Sequence, residues 1–167
     1  MSYLATAAAI LALLTSMIMA GFFFAYSVSV MWGLDEANPA SAIDAMQKIN
    51  TVIQNPWFFP NFFGVPVFAA GAAILFFMIG QPASGTAFGV AAIAYLLGAF
   101  AVTVAVNVPM NEALGRAVIP EDIEAAQAMW TQYSERWTFW NHVRSIASLA
   151  SALACGLGIF LAGRAAA

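Results

Sequence analysis

The stretch LATAAAILALLTSMIMAGFFFAYSVSVM, residues 4–31, contains no charged side chain. A membrane-spanning helix needs about 20 consecutive apolar residues. At a rise of 1.5 Å per residue this run forms a helix of about 42 Å, enough to cross a bilayer with tilt. No positive n-region precedes the run, and it is longer than the apolar core of a secretory signal. We therefore expect it to be retained as a first membrane span.

Three further apolar runs predict spans at about residues 57–79, 86–106 and 139–161. Bundled spans tolerate internal prolines such as Pro60 and Pro66, because neighbouring helices satisfy the freed carbonyl groups. We expect Pro109 to break the last turn of the third span. The fourth span is expected to be the second half of one long helix, from about residue 121 to 162.

Two amphipathic segments, at about residues 39–54 and 121–136, separate the spans. Asn38 and Pro39 are typical of a helix start, with Asn as the N-cap and Pro at the first helical position. Ile43 and Met46 lie on one apolar stripe, as in helices that rest on a membrane surface. With four spans, both chain ends lie on one side and all 8 acidic residues on the other. The sequence thus predicts an all-α fold over residues 1–167, an integral membrane four-helix bundle with two amphipathic loop helices on one face.

The composition excludes several classes of protein. Charged residues are 8% and hydrophobic residues 63% of the chain, whereas soluble domains carry about 25% charged residues. With Lys+Arg at 5 against Asp+Glu at 8, the chain also lacks the basic surface that nucleic-acid binding requires. One Cys and one His exclude a Cys/His zinc site and an iron–sulfur cluster held by the chain's own thiolates. We expect no metal, and a multi-pass location in a bacterial inner membrane.

Arg144 is the most informative single residue, because it lies inside the fourth predicted span. A charge near the bilayer centre costs roughly 2.5–3.5 kcal/mol on insertion scales. The side chain either snorkels to the headgroups or points into the bundle. The spacing of Asn141, Arg144, Ser145 and Ser148 places all four on one helical face. We expect the guanidinium to face the bundle and to bond an Asn or a carbonyl of another span.

Polar groups from the other three spans are expected near the same depth as Arg144. Unpaired amides are costly in a membrane, so their convergence indicates either a mutual network or a ligand. The alternative for the two amides of the third span is a polar helix end with a turn. The residues concerned are Tyr26 in the first span, Asn55 before the second, and Asn107 and Asn111 at the end of the third.

Three ring side chains near Arg144 allow more than one interpretation. His142 is a structural residue, a base suited to neutral pH, or one axial ligand of a haem. Trp137 and Trp140 belong either to an aromatic belt at the membrane interface or to a slot for a flat apolar ligand.

Several of these clusters together resemble a known family. The sequence contains Asn55-Pro56-Trp57-Phe58, Asn107-x-Pro109-x-Asn111 and Trp137-x-x-Trp140-Asn141-His142-x-Arg144, with Gly21-Phe22-Phe23-Phe24-Ala25-Tyr26 in the first span. In these motifs and in span order, nearly the whole chain resembles the small four-span membrane family named after fungal anthrone and noranthrone oxygenases.

The resemblance implies a membrane oxygenase that acts with O₂ on an apolar aromatic or polyketide-like substrate, without an organic cofactor. Its named members oxidise an anthrone to an anthraquinone. On matching positions, His142 would be the base, and Arg144, Asn141 and Asn107 would stabilise the oxyanion. Trp137, Trp140, Asn111, Asn55 and Tyr26 would contact the substrate.

A function of another class also fits the sequence. The chain is alternatively a non-catalytic membrane protein that binds a lipid, a quinone or a haem, with His142 as the haem ligand. Its expected partners are a hydrophobic small molecule or lipid and the membrane itself, and a homo-oligomer is left open.

Overall fold

The computed structural model describes residues 3–166 and is helical almost throughout this range, without a β-strand in it. Residues 1, 2 and 167 of the predicted domain lie outside the described part. Four helices are long and apolar enough to cross a membrane, so the chain is an all-α, multi-pass integral membrane protein. The helices are α1 (Tyr3–Asp35), α2 (Pro39–Val52), α3 (Phe58–Met78), α4 (Pro82–Arg116) and α5 (Ile123–Ala166).

The four long helices form a ring in which α1 packs on α3 and α5, and α4 packs on the same two helices. Small side chains dominate the contacts at the end of the bundle where α1 begins. Such residues let helix backbones approach closely when no hydrophobic driving force acts between them. The buried cluster at this end includes Ala5, Ala9, Ala12, Ala69, Ala72, Ala91 and Cys155.

The turn between α3 and α4 lies at this small-residue end. Gly80 has a φ of 74°, in the left-handed region that glycine enters without steric cost. Phe76 of α3 and Phe88 of α4 stack with ring centroids 5.4 Å apart. These contacts join the two helices firmly next to the turn.

The opposite end of the bundle, called the polar end below, is covered by α2 and the first half of α5. Asn38 accepts hydrogen bonds from the amides of Ala40 and Ser41, at 3.1 and 3.4 Å, so it caps α2 as predicted. The buried face of α2 packs against Trp130 of α5. Gln47 donates to the carbonyl of Leu114 at 2.9 Å, which fixes α2 to the end of α4.

Helix α5 runs from Ile123 to Ala166 without a break, as the single long helix expected there. Asp122 caps its first turn, because its carboxylate accepts a hydrogen bond from the amide of Ala125 at 2.8 Å. The first part of α5 packs on α2, and the rest packs on α1 and α4.

The expected break at Pro109 is wrong, since α4 continues through this residue to Arg116. The helix widens into a π-helical turn at Thr103–Asn107, and the amide of Val108 bonds the carbonyl of Thr103 five residues earlier. Local π geometry of this kind re-satisfies the backbone groups that a proline leaves unpaired. Two other π-helical turns occur in the described chain, at Tyr26–Val30 in α1 and Leu96–Phe100 in α4.

The packing of Gly98 of α4 against Ala147 of α5 leads to a prediction about stability. A Cβ atom added at Gly98 would clash with the Cβ of Ala147, whereas no atom of the described residues lies within 4 Å of a Cβ added at Gly89. We expect Gly98→Ala to destabilise the protein by about 1–3 kcal/mol through overpacking. Gly89→Ala is the matched control on the same helix and should be neutral or stabilising. The measurement is unfolding in mixed detergent micelles, and equal stability of the two variants would contradict the packing described.

Candidate functional site

The guanidinium of Arg144 lies inside the bundle, and the residue is 5% exposed. One terminal nitrogen donates to Oδ1 of Asn141 at 2.9 Å, and the other donates to Oγ1 of Thr103 at 3.3 Å. Its carbon Cζ lies 4.6 Å from the ring centroid of Phe23 and 4.8 Å from that of Trp137. The partners differ from the sequence prediction: the Asn is on the same helix, and the neighbouring span supplies a hydroxyl.

The positive charge of Arg144 has no carboxylate partner in the described part of the chain. The two ion pairs found there, Lys48–Asp44 and Arg116–Glu112, are exposed and do not include it. Its Nε is buried and has no hydrogen-bond partner among the residues that the structure describes. A buried charge is costly unless it is paired, and two aromatic faces and two neutral oxygens compensate it only in part. The arrangement therefore favours an anionic ligand.

Asn141 orients the guanidinium. Its Nδ2 donates to the carbonyl of Phe23 and to Oγ of Ser27, both at 2.8 Å, which leaves Oδ1 directed at Arg144. Ser27 belongs to the π-helical turn of α1 and is also within 3.2 Å of the hydroxyl of Ser145. Asn141 is fully buried and does not line the cavity described next.

Arg144 forms part of the wall of a cavity of about 470 Å³ at the polar end of the bundle. This volume lies within the usual range for small-molecule sites. Helix α2 and the turn after it form one side, through Gln47, Asn50 and Gln54. Most of the remaining wall is aromatic and comes from Phe22, Phe23, Tyr26, Phe58, Phe59, Phe62, Phe63 and Trp137.

Asn111 also lines the cavity and fixes two aromatic side chains. Its Oδ1 accepts hydrogen bonds from the hydroxyl of Tyr133 and from Nε1 of Trp137, each at 2.8 Å. Because the oxygen is occupied by two donors, the amide NH₂ group is what Asn111 has left to offer a ligand. The indole of Trp137 is thereby held between Arg144 and Tyr26, whose ring centroid is 5.6 Å away.

The structure brings most of the sequence-predicted site residues together. Arg144, Trp137, Asn111 and Tyr26 line the cavity. Asn107 is buried beside it and donates to the carbonyl of Trp137 at 3.4 Å, while its Oδ1 has no partner within residues 3–166.

Three predicted residues lie neither on the cavity wall nor in the hydrogen-bonded group behind it. His142 is exposed on the outer side of α5, because it is turned by about 100° from Asn141 on the helix. Trp140 is half-buried and contacts Phe139. Asn55 caps α3, since its Oδ1 accepts hydrogen bonds from the amides at positions 57 and 58.

Helix α2 contributes to the cavity wall, which the sequence pattern did not predict. Asn50 lines the cavity with a buried amide nitrogen. A signal was present, because Asn50 follows Ile43 and Met46 at helical spacing and so interrupts an apolar stripe with an amide. Thr103 and Glu112, on the cavity side of α4, were also missed.

Comparison with known proteins gives one match. The family model described as anthrone oxygenase matches residues 56–154, more than half of the chain. The matched segment includes Asn111, Trp137 and Arg144 but neither α1 nor α2. No curated protein and no solved structure matches the chain.

The unpaired charge of Arg144 generates a binding prediction. Thr103→Asp places a carboxylate where Oγ1 now accepts from the guanidinium at 3.3 Å, so it neutralises the cavity without removing Arg144. We expect the affinity for 1-naphthoate to fall by about tenfold, equivalent to about 1.4 kcal/mol. Affinity for the neutral 1-naphthamide, the matched ligand of the same shape, should change less than about twofold. Calorimetry in detergent measures both, and an equal loss for the two ligands would mean that the variant acts through misfolding.

Proposed function

The chain belongs to the anthrone oxygenase family, and on that premise we propose that it is a membrane oxidase. It would bind an apolar aromatic ketone as its enolate anion and allow O₂ to oxidise this anion. The observation that carries the proposal is the buried guanidinium of Arg144, without a carboxylate partner in the described chain, in the wall of an aromatic cavity. Its fixed donors would stabilise an oxyanion in surroundings of low dielectric constant.

The reaction balances without a further reactant. Loss of a proton from the CH₂ group of an anthrone gives an anion whose charge lies largely on oxygen. This anion transfers one electron to O₂, and the radical and superoxide combine to a hydroperoxide once the proton returns. Loss of water from the hydroperoxide leaves a carbonyl, so CH₂ and O₂ become C=O and H₂O. We propose that no organic cofactor takes part.

The cavity wall supports this chemistry in two ways. The side chains of Phe23 and Trp137, which pack on the guanidinium, also border the cavity, so a flat ring system could lie beside them. The amide NH₂ of Asn111 would donate to a second ligand oxygen. We propose these residues, with Tyr26, as the substrate contacts.

The proton acceptor we propose is Glu112, the carboxylate on the cavity wall. The base role that the family resemblance implied for His142 has no geometric support, because this exposed ring lies outside the cavity. The same position argues against a haem bound between His142 and the cavity-lining residues. Asn141 and Asn107 would act by orienting Arg144 and Trp137.

A non-catalytic binding protein is the second candidate, and one observation favours it. The side chain of Glu112 is 60% exposed and lies 3.5 Å from that of Arg116, so the group proposed as base is at the rim and already paired. Under this alternative the protein would hold an anionic aromatic molecule or lipid without changing it. In either case we propose a location in the bacterial inner membrane.

Oxygen uptake separates these possibilities. With an anthrone as substrate, we expect Arg144→Gln to lower the rate by about 10²–10³-fold, as for loss of one oxyanion donor. Glu112→Gln should lower it by about 10²-fold, the lower limit for a positioned base. His142→Gln is the control outside the cavity and should change the rate less than about twofold.

The alternatives give different outcomes in the same assay. A loss of 10²-fold or more in His142→Gln, with Glu112→Gln active, would return the base role to His142. Tight binding of the anthrone without O₂ uptake would establish the binding protein instead. Circular dichroism and elution profiles of each variant show whether a loss of rate reflects loss of fold.

A further inference from the structure

We propose that the ligand enters the cavity sideways from the lipid bilayer, through a gap between α3 and α4. It follows that the site takes an amphipathic anion, with an oxyanion held at Arg144 and an apolar part that extends towards the lipid. This inference rests on the proposed function only for the chemical nature of the anionic end.

The gap between α3 and α4 begins beyond Phe100, where the two helices diverge. Near their turn the two helices pack along Pro82–Tyr95. The last contact before the cavity is made by the ring of Phe100, whose centroid is 5.3 Å from that of Phe62 and 5.8 Å from that of Phe63. Beyond Phe100, the π-helical turn at Thr103–Asn107 packs against α5. The cavity lies in the space that this divergence leaves.

Both edges of the gap are apolar and exposed. On α3, Phe59 and Phe63 are 40% and 48% exposed, and on α4, Val104 and Val108 are 54% and 39% exposed. All four side chains also line the cavity. They belong to helices apolar enough to span a membrane, so their exposed surfaces face lipid.

The other sides of the cavity are bounded by α2, by the packed group on α1 and α5, and by a polar rim that is exposed at Thr51, Gln54, Glu112 and Gly115. Towards the polar end α2 lies across it, and Gln47 holds α2 to the carbonyls of Leu114 and Ala117 at 2.9 and 3.1 Å. Towards α1 and α5 the wall is the packed group of Phe23, Trp137 and Arg144. The rim on the polar side includes Glu112 and Gln54, and it suits the passage of protons and water better than that of an apolar ring system.

The distribution of polarity defines the ligand. Hydrogen-bond donors lie at the inner wall, on Arg144 and Asn111, and the route to lipid offers only phenyl and isopropyl groups. A molecule with an anionic ring oxygen and a long alkyl substituent could keep its chain in the bilayer while its ring system occupies the cavity. A small, fully polar anion would have no favourable contact along this route.

The test uses two hydroxyanthrones that differ only in one ether substituent, methyl or hexadecyl. Protein in lipid nanodiscs is loaded with each probe under argon, and the retained probe is the absorbance after gel filtration in excess of that retained by empty nanodiscs. Val104→Trp and Val108→Trp fill the gap, and Val90→Trp is the control. Val90 is also on α4 and is 54% exposed, as Val104 is, but it does not line the cavity.

We expect the native protein to retain both probes. Each gap variant should bind the hexadecyl probe at least about tenfold more weakly, while Val90→Trp changes affinity less than about twofold. Retention of only the methyl probe by native protein would overturn the sideways entrance. The sideways entrance would also be overturned if both gap variants bound the hexadecyl probe as tightly as the native protein does, provided that elution profiles show the variants to be folded.

Admission of O₂ to the same samples separates the two proposals. Retention of both probes without O₂ uptake overturns the oxidase and leaves the entrance supported. If native protein retains neither probe, both proposals are overturned.

Discussion

The structure depends on one constraint, a guanidinium kept inside an apolar bundle without a carboxylate partner among residues 3–166. Arg144 is held by Asn141 and Thr103 and covered by two aromatic faces. Asn141 is in turn fixed by Phe23 and Ser27 of α1. Three of the four long helices therefore meet around one cation. If Arg144 served only to stabilise the fold, an apolar side chain of similar volume would serve as well or better, because burying a charge costs desolvation free energy.

Much of the fold could be predicted from the sequence, because the bilayer imposes simple rules. Run length and lack of charge are sufficient to identify four apolar helices. The start of α2 at Asn38-Pro39 and the continuity of α5 also follow from local signals. The break expected at Pro109 was wrong, because the rule for proline assumes regular α geometry. A π-helical turn has no signature in a single sequence, since its energy depends on the neighbouring helices.

The site was predictable where burial itself is informative. Arg144, Trp137, Asn111 and Tyr26 stand out because polar or amphipathic side chains in a span must face protein, and all four line the cavity. His142 was expected in the site but lies outside the cavity. At the membrane interface a polar ring can face outward at little cost in free energy. A shift of one position along a helix changes the direction of a side chain by about 100°. The role of α2 in the cavity wall was not predicted, because an amphipathic helix near a membrane is equally typical of a surface anchor.

The π-helical turns have a consequence for how this protein can evolve. Each one amounts to a single extra residue within a helix, and it rotates everything beyond it by about 100° relative to an uninterrupted α-helix. Two of them lie in α4, at Leu96–Phe100 and Thr103–Asn107, where the helix diverges from α3 while its packing on α5 continues. The direction in which side chains point in the second half of α4 is thus set by the number of residues before them, more than by side-chain size. Insertion or deletion of one residue in α4 could therefore reshape the cavity at the polar end, while the alanine-rich packing at the opposite end of the bundle keeps its register.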